Sequence, residues 1–290
     1  TKRLTQVVGR PNMGSPVWSF DGNHIAFDAC GEDGDFSNSH LYVVRSDGTW
    51  PRHLGPGAVP SWSQDGSTIA FHLYGQDAGV WVTSALNGCA RYRVAADGGS
   101  PRYRPQHKTL AYLQWGRNIN EIDWNQVDDK GQPKVSPLLP AGLSPYWGWS
   151  WSPDGDAVCF MSRRSGDSDK RELLVVRLNR VEGADKEPEV ISCATGPIYT
   201  HVSWSPDGGQ ILFSMKGKKD NYFQLYTVNP NGKESPVRVG RQIKDWHNVD
   251  GTWSPDGKKI AYVIEGYPAP QKAEADEVEV HIDPNHLRID

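Results

Sequence analysis

Residues 148–160 read GWSWSPDGDAVCF, and related segments occur five more times along the chain. Each copy has an aromatic residue, a turn sequence that is most often Ser-Pro-Asp-Gly, and then an apolar run such as Ile-Ala-Phe. Proline fixes φ early in such a turn, aspartate bonds back to the backbone, and glycine accepts a positive φ. Each copy therefore predicts a β-hairpin. The six lead aromatics are Trp18, Trp62, Tyr103, Trp151, Trp204 and Trp253.

The spacing of these lead aromatics predicts the fold, because they follow one another at intervals of 44, 41, 48, 53 and 49 residues. A third apolar strand is expected in each unit at residues 40–44, 80–83, 120–124, 173–176, 224–228 and 278–282, and a fourth at 51–54, 91–94, 134–139, 189–191 and 237–239. Four antiparallel strands repeated at this interval are typical of a β-propeller. We predict an all-β, six-bladed propeller of four-stranded antiparallel blades, with residues 1–290 as a single domain.

The N-terminal segment is expected to close the ring, since only five fourth strands follow their own unit. Leu4 precedes Trp18 by 14 residues, the same offset that separates Val239 from Trp253. Residues 2–7 are therefore predicted to form the fourth strand of the last blade. The alternative, in which residues 287–289 complete that blade, stays open.

Composition argues against several classes of function. Lys and Arg total 31 and Asp and Glu total 35, so the net charge of −4 does not favour nucleic-acid binding. The mean hydropathy of −0.62, with no long apolar run, argues against membrane insertion. The four cysteines are far apart without a CxxC spacing, which predicts free thiols or at most one pair. We expect a monomer.

The repeat resembles the TolB-type, or PD40, propeller repeat. Trp-Ser-Pro-Asp-Gly is complete at residues 151–155, 204–208 and 253–257, with near matches at 18–22 and 62–66. The resemblance covers essentially the whole chain and implies a periplasmic or secreted protein. The third copy departs from the pattern at Tyr103-Arg104-Pro105-Gln106-His107, so its turn is expected to be irregular. The same repeat builds isolated propellers, sugar-acid lyases and peptidase domains, so the fold leaves the function open.

The segments before the lead aromatics differ between the two halves of the ring. In units one to three they contain small residues, whereas units four to six contain Tyr146, Trp147, Tyr199, His201, Trp246, His247 and Asp250. Loops expected on the same face add Arg163, Arg164 and Lys216, and the same rim receives His72 and Tyr74. Aromatic faces beside cationic groups suit an anionic ligand. We predict that this channel mouth binds an anionic oligosaccharide or a peptide segment of a partner.

Two other classes of function stay open. The first is a carbohydrate-active lyase or hydrolase that acts on a uronate-like substrate through Tyr199, His201 or His247. His201, His247 and Asp250 could then hold a divalent ion, as the resemblance to sugar-acid lyases implies, although the sequence itself assigns no metal or cofactor. The second is a protein scaffold. The lead aromatics and the turn residues Asp154, Asp207 and Asp256 are predicted to be structural.

Overall fold

The computed structural model describes residues 7–163, 171–178, 188–218, 220–240, 242–243, 245–265 and 281–282. Their strands form six antiparallel sheets in which the strands pair in chain order. Two short 3₁₀ helices, Phe36–Asn38 and Gly75–Asp77, are also present. No helix in the described part of the chain is long and apolar enough to cross a membrane.

The strand bounds follow the predicted hairpins closely. The first strands are β1 (Asn12–Trp18), β5 (Ala58–Trp62), β9 (Gly99–Tyr103), β13 (Pro145–Trp151), β17 (Ile198–Trp204) and β21 (His247–Trp253). The second strands are β2 (His24–Cys30), β6 (Thr68–Leu73), β10 (Thr109–Gln114), β14 (Ala157–Arg163), β18 (Ile211–Met215) and β22 (Ile260–Glu265). The third strands are β3 (His40–Arg45), β7 (Gly79–Ser84), β11 (Asn118–Val127), β15 (Arg171–Arg177), β19 (Gln224–Val228) and β23 (His281–Ile282). The fourth strands are β4 (Arg52–Pro56), β8 (Tyr92–Ala95), β12 (Pro133–Pro137), β16 (Glu189–Gly196) and β20 (Val237–Arg238).

The sheets are arranged in a circle as a β-propeller. The first strands are neighbours in the order β1, β5, β9, β13, β17 and β21, and β21 in turn contacts β1. The first strands therefore surround the central channel. We call the four-stranded sheets blades one to five and the sheet β21–β23 the last sheet.

The predicted number of complete blades needs a correction. Five sheets have four strands, whereas the last sheet has three in the described part of the chain, so five complete blades are present rather than six. The strand expected to complete the last sheet was assigned to residues 2–7, of which 2–6 lie outside the described residues. The alternative segment, residues 287–289, also lies outside them.

Each lead aromatic ends the first strand of its sheet and packs against the preceding sheet. Trp62 lies in a cluster with Leu41 of blade one, and Trp204 lies in a cluster with Leu173 of blade four. The five lead tryptophans are buried, and Tyr103 is half-buried. Burial of large aromatic area between neighbouring sheets stabilises the ring, which confirms the predicted structural role of these residues.

Repeated hydrogen bonds explain the Ser-x-Asp-Gly turns. In the fourth copy, the Ser152 hydroxyl donates to Asp154 at 2.5 Å and accepts the backbone N–H of Ala157 at 2.8 Å. The Asp154 carboxylate also accepts the N–H of Asp156 at 3.0 Å. The same bonds recur at Ser19 with Asp21, Ser63 with Asp65, Ser205 with Asp207, and Ser254 with Asp256. These aspartates are turn residues, as predicted.

Blade three replaces this turn with a buried ion pair. Arg104 occupies the serine position, and its guanidinium lies 3.0 Å from the carboxylate of Glu121. It also donates to the Gly155 carbonyl at 2.8 Å and lies over the Trp151 ring at 5.1 Å, so it joins blade three to blade four. The positive φ moves to Gln106, at 61°, which confirms that this turn is irregular.

The first strands are bulged near the channel. In β1, for example, the pairing with β2 shifts between Gly14 and Val17. Four residues three positions before a lead aromatic have a positive φ: Ser15, Val59, Ser100 and Asp250, at 48°, 53°, 47° and 52°. Bulges redirect side chains and are frequent beside functional sites.

All four cysteines are free thiols. Cys30, Cys159 and Cys193 are buried, whereas Cys89 is exposed. Burial is the main cause that raises the pKa of the Cys193 thiol to about 11. The structure thus agrees with the prediction of free thiols and provides no disulfide.

Candidate functional site

The starts of the first strands and the ends of the second strands share one face of the ring, as the sequence predicted. In blade five, for example, Ile198 at the start of β17 pairs with Met215 at the end of β18. In the last sheet, His247 at the start of β21 pairs with Glu265 at the end of β22. Loops that join second to third strands therefore lie at the same end of the channel as the segments that lead into the first strands.

Five half-buried residues of blade five and the last sheet form a group on this face, which we call the aromatic cluster: Tyr199, Lys216, Tyr222, Phe223 and His247. The ring of Phe223 lies 5.1 Å from Tyr199 and 5.4 Å from His247 between centroids. Tyr222 meets His247 edge-on at 5.3 Å, and the Lys216 ammonium lies 4.9 Å from the centre of the Phe223 ring. A cation and an imidazole thus lie beside three aromatic rings.

The backbone fixes the orientation of His247. The N–H of Phe223 donates to Nδ1 of His247 at 3.1 Å. Because Nδ1 accepts this bond, the neutral ring carries its hydrogen on Nε2. Burial, and then the charge of Lys216, lower the pKa of His247, so the ring is neutral at pH 7. His247 therefore offers an N–H donor.

Buried amides hold the chain around the aromatic cluster. The Gln224 side chain donates to the carbonyl of Trp246 at 2.9 Å, and its own carbonyl accepts from Arg238 at 2.6 Å. The Asn248 amide donates to the same Trp246 carbonyl at 3.1 Å. Gln224 and Asn248 are both buried, so the segment that carries Trp246 and His247 is anchored to β19.

Blade four contributes a tyrosine and an arginine on the same face. The guanidinium of Arg171, at the start of β15, lies over the ring of Tyr146 at 4.8 Å. It also donates to the carbonyl of Ile198 at 3.0 Å, which connects it to blade five. Trp147 and Arg163 belong to β13 and β14, but their side chains, like the whole of Arg164, lie outside the described residues.

His201 interacts with a charged group outside the aromatic cluster. Burial, and then the positive charge of Arg102, lower the pKa of His201 to about 3. Burial lowers the pKa of Arg102 itself to about 10, and Asp28 opposes this shift. Asp28, Arg102 and His201 belong to blades one, three and five, which are not neighbours, so their interactions act across the interior of the ring.

His72 and Tyr74 lie together at the junction of blades two and three. Their ring centroids are 4.2 Å apart, and Trp115 lies 5.7 Å from His72. Burial lowers the pKa of His72 to about 4, whereas burial, and then Asp28, raise the pKa of Tyr74 to about 12. This pair belongs to a different part of the rim from Tyr199 and His247.

The structure thus brings Tyr199, Lys216 and His247 into one cluster, and places Tyr146, His201 and the pair His72–Tyr74 with other partners. Asp250, at the bulge of β21, has a positive φ of 52°. Among the described residues, no group of three or more His, Cys, Asp or Glu side chains is arranged to hold a metal ion.

Several residues at these positions were missed by reasoning from sequence. Tyr222 and Phe223 lie in the loop before β19, shortly after the basic residues around Lys216. An aromatic pair next to a basic run could have indicated a binding site. Arg102 and Asp28 had no such signal. They approach each other only because blades distant in sequence face one channel.

A surface pocket of about 410 Å³ lies on the opposite face, between the turns of blade five and the last sheet. Asp207, Gln210 and Asp256 line it together with Trp253. Asp207 and Asp256 are already engaged by the serines of their own turns.

Solved structures share this architecture. TolB from Acinetobacter baumannii superposes with a TM-score of 0.59 at 19% identity, over 77% of this chain and 53% of that chain. The β-propeller domain of Cps50 (Swd1) from Myceliophteria thermophila gives 0.57 at 14% identity, over 89% and 94%. An oligogalacturonate lyase in complex with manganese gives 0.51 at 14% identity, over 88% and 86%.

The fold is a β-propeller, which the chain shares with TolB. At these identities the likeness concerns the fold alone, and the propeller spans about half the length of the TolB structure that it matches. No protein-family model and no curated protein sequence matches the chain. Function has to be argued from the propeller's own residues.

Proposed function

We propose that this propeller binds an anionic oligosaccharide or an acidic peptide segment at the face that carries the aromatic cluster. The observation that carries the proposal is the position of Lys216 and His247 beside the Phe223 ring. Both polar groups donate hydrogen bonds, so they favour a ligand rich in acceptors, above all a carboxylate. The faces of Tyr199 and Tyr222 suit the apolar side of a sugar ring or a peptide side chain.

Two features favour a binding module over an enzyme. A histidine with a pKa near 3 is a weak general base at neutral pH, which disfavours His201 in that role. The Nδ1 atom of His247 is occupied by the N–H of Phe223, which leaves only its donor side for a ligand. A binding site needs no base, only complementary groups.

One observation favours a lyase as the second candidate. His201 is neutral and interacts with the positive charge of Arg102, and a lyase needs a base together with a charge-neutralising group. The fold is shared with an oligogalacturonate lyase in complex with manganese. In this alternative, Arg102 would stabilise the carboxylate of a uronate-like substrate, and His201 would take the proton despite the low pKa that makes it a weak base.

Two contacts support the proposal that the last sheet is a sixth blade closed by the N-terminal segment. Val7, the first described residue, packs on a cluster that contains Trp18 and Ala261 of the last sheet. Gly22 lies against the ring of Pro255, since a Cβ added at Gly22 would be 3.7 Å from Cγ of Pro255. Gly257 lies against Pro206 of blade five in the same way, with Cδ of Pro206 at 3.7 Å. The first and last sheets therefore meet as consecutive blades do.

The test is a binding measurement on variants of the aromatic cluster. Titration calorimetry with oligogalacturonate and with an acidic hexapeptide identifies the ligand class. Lys216→Met is expected to weaken binding of the better probe at least about tenfold, because a charge-assisted hydrogen bond is lost. Phe223→Leu is expected to weaken it severalfold by removing the stacking face.

The matched control is Lys233→Met, which removes an exposed lysine near the turn between β19 and β20, away from this face. It is expected to leave affinity unchanged. Equal losses in Lys216→Met and Lys233→Met would indicate a general charge effect and contradict the proposed site. Turnover of oligogalacturonate that is lost in His201→Gln would favour the lyase instead.

A further inference from the structure

Four arginines lie along the outer strands of blades one and two, away from the aromatic cluster. The fourth strands β4 and β8 are the outer edges of these two blades. Arg45 ends β3 and Arg52 begins β4. Arg91 and Arg93 lie on either side of Tyr92, the first residue of β8. We call the surface that the four arginines share the arginine groove.

The strand register places these arginines on the sides of the two blades that face each other. Arg93 pairs with Trp81, and Arg52 pairs with Val43. Paired residues point to the same side of a sheet, and Trp81 and Val43 both belong to the apolar cluster between blades one and two. Arg45 is two residues from Val43 and therefore shares its side.

Two hydrogen bonds across the groove join the blades. The guanidinium of Arg52, in blade one, donates to the carbonyl of Leu86 in blade two at 3.2 Å. In the opposite direction, Arg91 of blade two donates to the carbonyl of Pro56 in blade one. Arg52 and Arg91 are half-buried. These two arginines therefore form the fixed base of the groove.

The positive charge of the groove is not balanced by ion pairs. None of its four arginines forms an ion pair with a carboxylate in the part of the chain that the structure describes. Asp47 interacts with the charge of Arg45, but Thr49 already donates to its carboxylate from the backbone at 2.8 Å and from the hydroxyl at 2.7 Å. Arg45 and Arg93 are exposed, so their guanidinium groups are open to a ligand.

Two large apolar side chains are exposed beside these cations. Trp50 is 68% exposed and Leu86 is 71% exposed, and Arg45 lies over the Trp50 ring at 4.8 Å. Trp50 has a φ of 55°, which bulky residues rarely adopt. The corresponding turn of blade two has Ala90 at a φ of 53°. The turn itself therefore does not require a tryptophan.

We propose that the arginine groove binds an extended acidic segment of a partner protein. The planar guanidinium group suits the two oxygens of a carboxylate, and arginine and tryptophan are enriched where proteins bind each other. Charges that only guard a free strand edge would not need Trp50 and Leu86 exposed beside them. An anionic polysaccharide would use the arginines but would leave Leu86 without an apolar partner.

Fluorescence anisotropy with a labelled decapeptide that alternates glutamate with leucine tests the proposal. All proteins carry Lys216→Met, which weakens the aromatic cluster, so the remaining binding reports on the arginine groove. Arg45→Gln together with Arg93→Gln is expected to weaken binding at least about tenfold, because two charge-assisted contacts are lost. Leu86→Ser is expected to weaken it severalfold.

The matched control is Lys134→Gln, which removes an exposed cation from β12, the outer strand of blade three. It is expected to leave the affinity unchanged. Because every replaced side chain in the groove is exposed, the variants are expected to keep the melting temperature of the Lys216→Met protein. Equal peptide affinity in the double arginine variant, Leu86→Ser and Lys134→Gln would overturn the proposal. Binding of heparin that depends on Arg45 and Arg93 but not on Leu86, without binding of the peptide, would also overturn it.

Discussion

At the scale of single residues, Arg104 shows how one exception in a repeat can be stabilised. Its guanidinium and the carboxylate of Glu121 are both 5% exposed and lie 3.0 Å apart, and Thr109 donates to the same carboxylate oxygen at 2.7 Å. Removal of one partner from a buried pair leaves the other charge without compensation. The pair is therefore more sensitive to single substitutions than to joint replacement.

Glu121→Gln is expected to lower the free energy of unfolding by about 3 kcal/mol, because the buried Arg104 then keeps only the exposed carboxylate of Asp156, 3.4 Å away, as a counter-charge. Arg104→Met together with Glu121→Leu is expected to cost clearly less than the sum of the two single changes. Urea denaturation of the four proteins in the cycle measures this coupling.

The matched control for that cycle is Glu189→Gln, since Glu189 pairs with Arg177 at 3.7 Å on the surface, with side chains 59% and 48% exposed. Exposed pairs contribute about 0–1 kcal/mol. Additive effects at Arg104 and Glu121, of the size seen at Glu189, would show that the buried pair is not coupled.

Residue-level predictions from sequence succeeded where a side chain acts within its own repeat. The turn role of Asp154 could be predicted because its partners are two residues away on either side. The interaction of His201 with Arg102 could not, since these residues are 99 positions apart and approach only when the ring closes. The anchoring of His247 by the Phe223 backbone joins two consecutive sheets, so neither repeat predicts it alone.

At the scale of elements, strand positions were predictable but strand lengths were less so. β19 occupies the predicted residues 224–228. β16 was predicted at 189–191 but extends through Glu189–Gly196, because Cys193 and Ala194 are buried against blade five. Burial of this kind comes from the neighbouring blade and leaves no apolar alternation in the strand's own sequence.

The turns predict how stability depends on acid. The hydroxyl of the neighbouring serine is the largest cause that lowers the pKa of Asp21, Asp65, Asp207 and Asp256, followed by a backbone N–H. Because these pKa values are lower in the folded chain, their stabilisation is full above the unfolded value of about 3.9 and is lost as the pH falls through the folded values. Unfolding free energy is expected to fall steeply below about pH 4.

Asp207→Asn is expected to reduce the slope of this acid loss while it lowers stability at pH 7. The measurement is urea denaturation between pH 2 and pH 7, with Asp129→Asn, an exposed aspartate outside the five turns, as the control. An unchanged slope in Asp207→Asn would show that the turn carboxylates do not govern acid unfolding.

At the scale of the whole molecule, the ring was predictable because each repeat contains its own hairpin and its own aromatic for the interface with the preceding sheet. Closure of the ring could not be predicted from a single repeat, because it brings the first sheet against the last. The contact of β21 with β1 and the packing of Gly22 on Pro255 show that the first and last sheets are neighbours. An open edge on the last sheet would leave backbone donors and acceptors unpaired.

Deletion of residues 1–8 is therefore expected to lower the melting temperature by about 5 °C or more, since each kcal/mol lost corresponds to roughly 2–4 °C in a chain of this size class. The deletion also removes Val7 from the cluster that it shares with Trp18 and Ala261. Differential scanning calorimetry compares it with deletion of residues 283–290, which should leave the melting temperature nearly unchanged. If the C-terminal deletion proves the more damaging, the chain closes its ring from the other end, and the strand that completes the last sheet follows β23 instead of preceding β1.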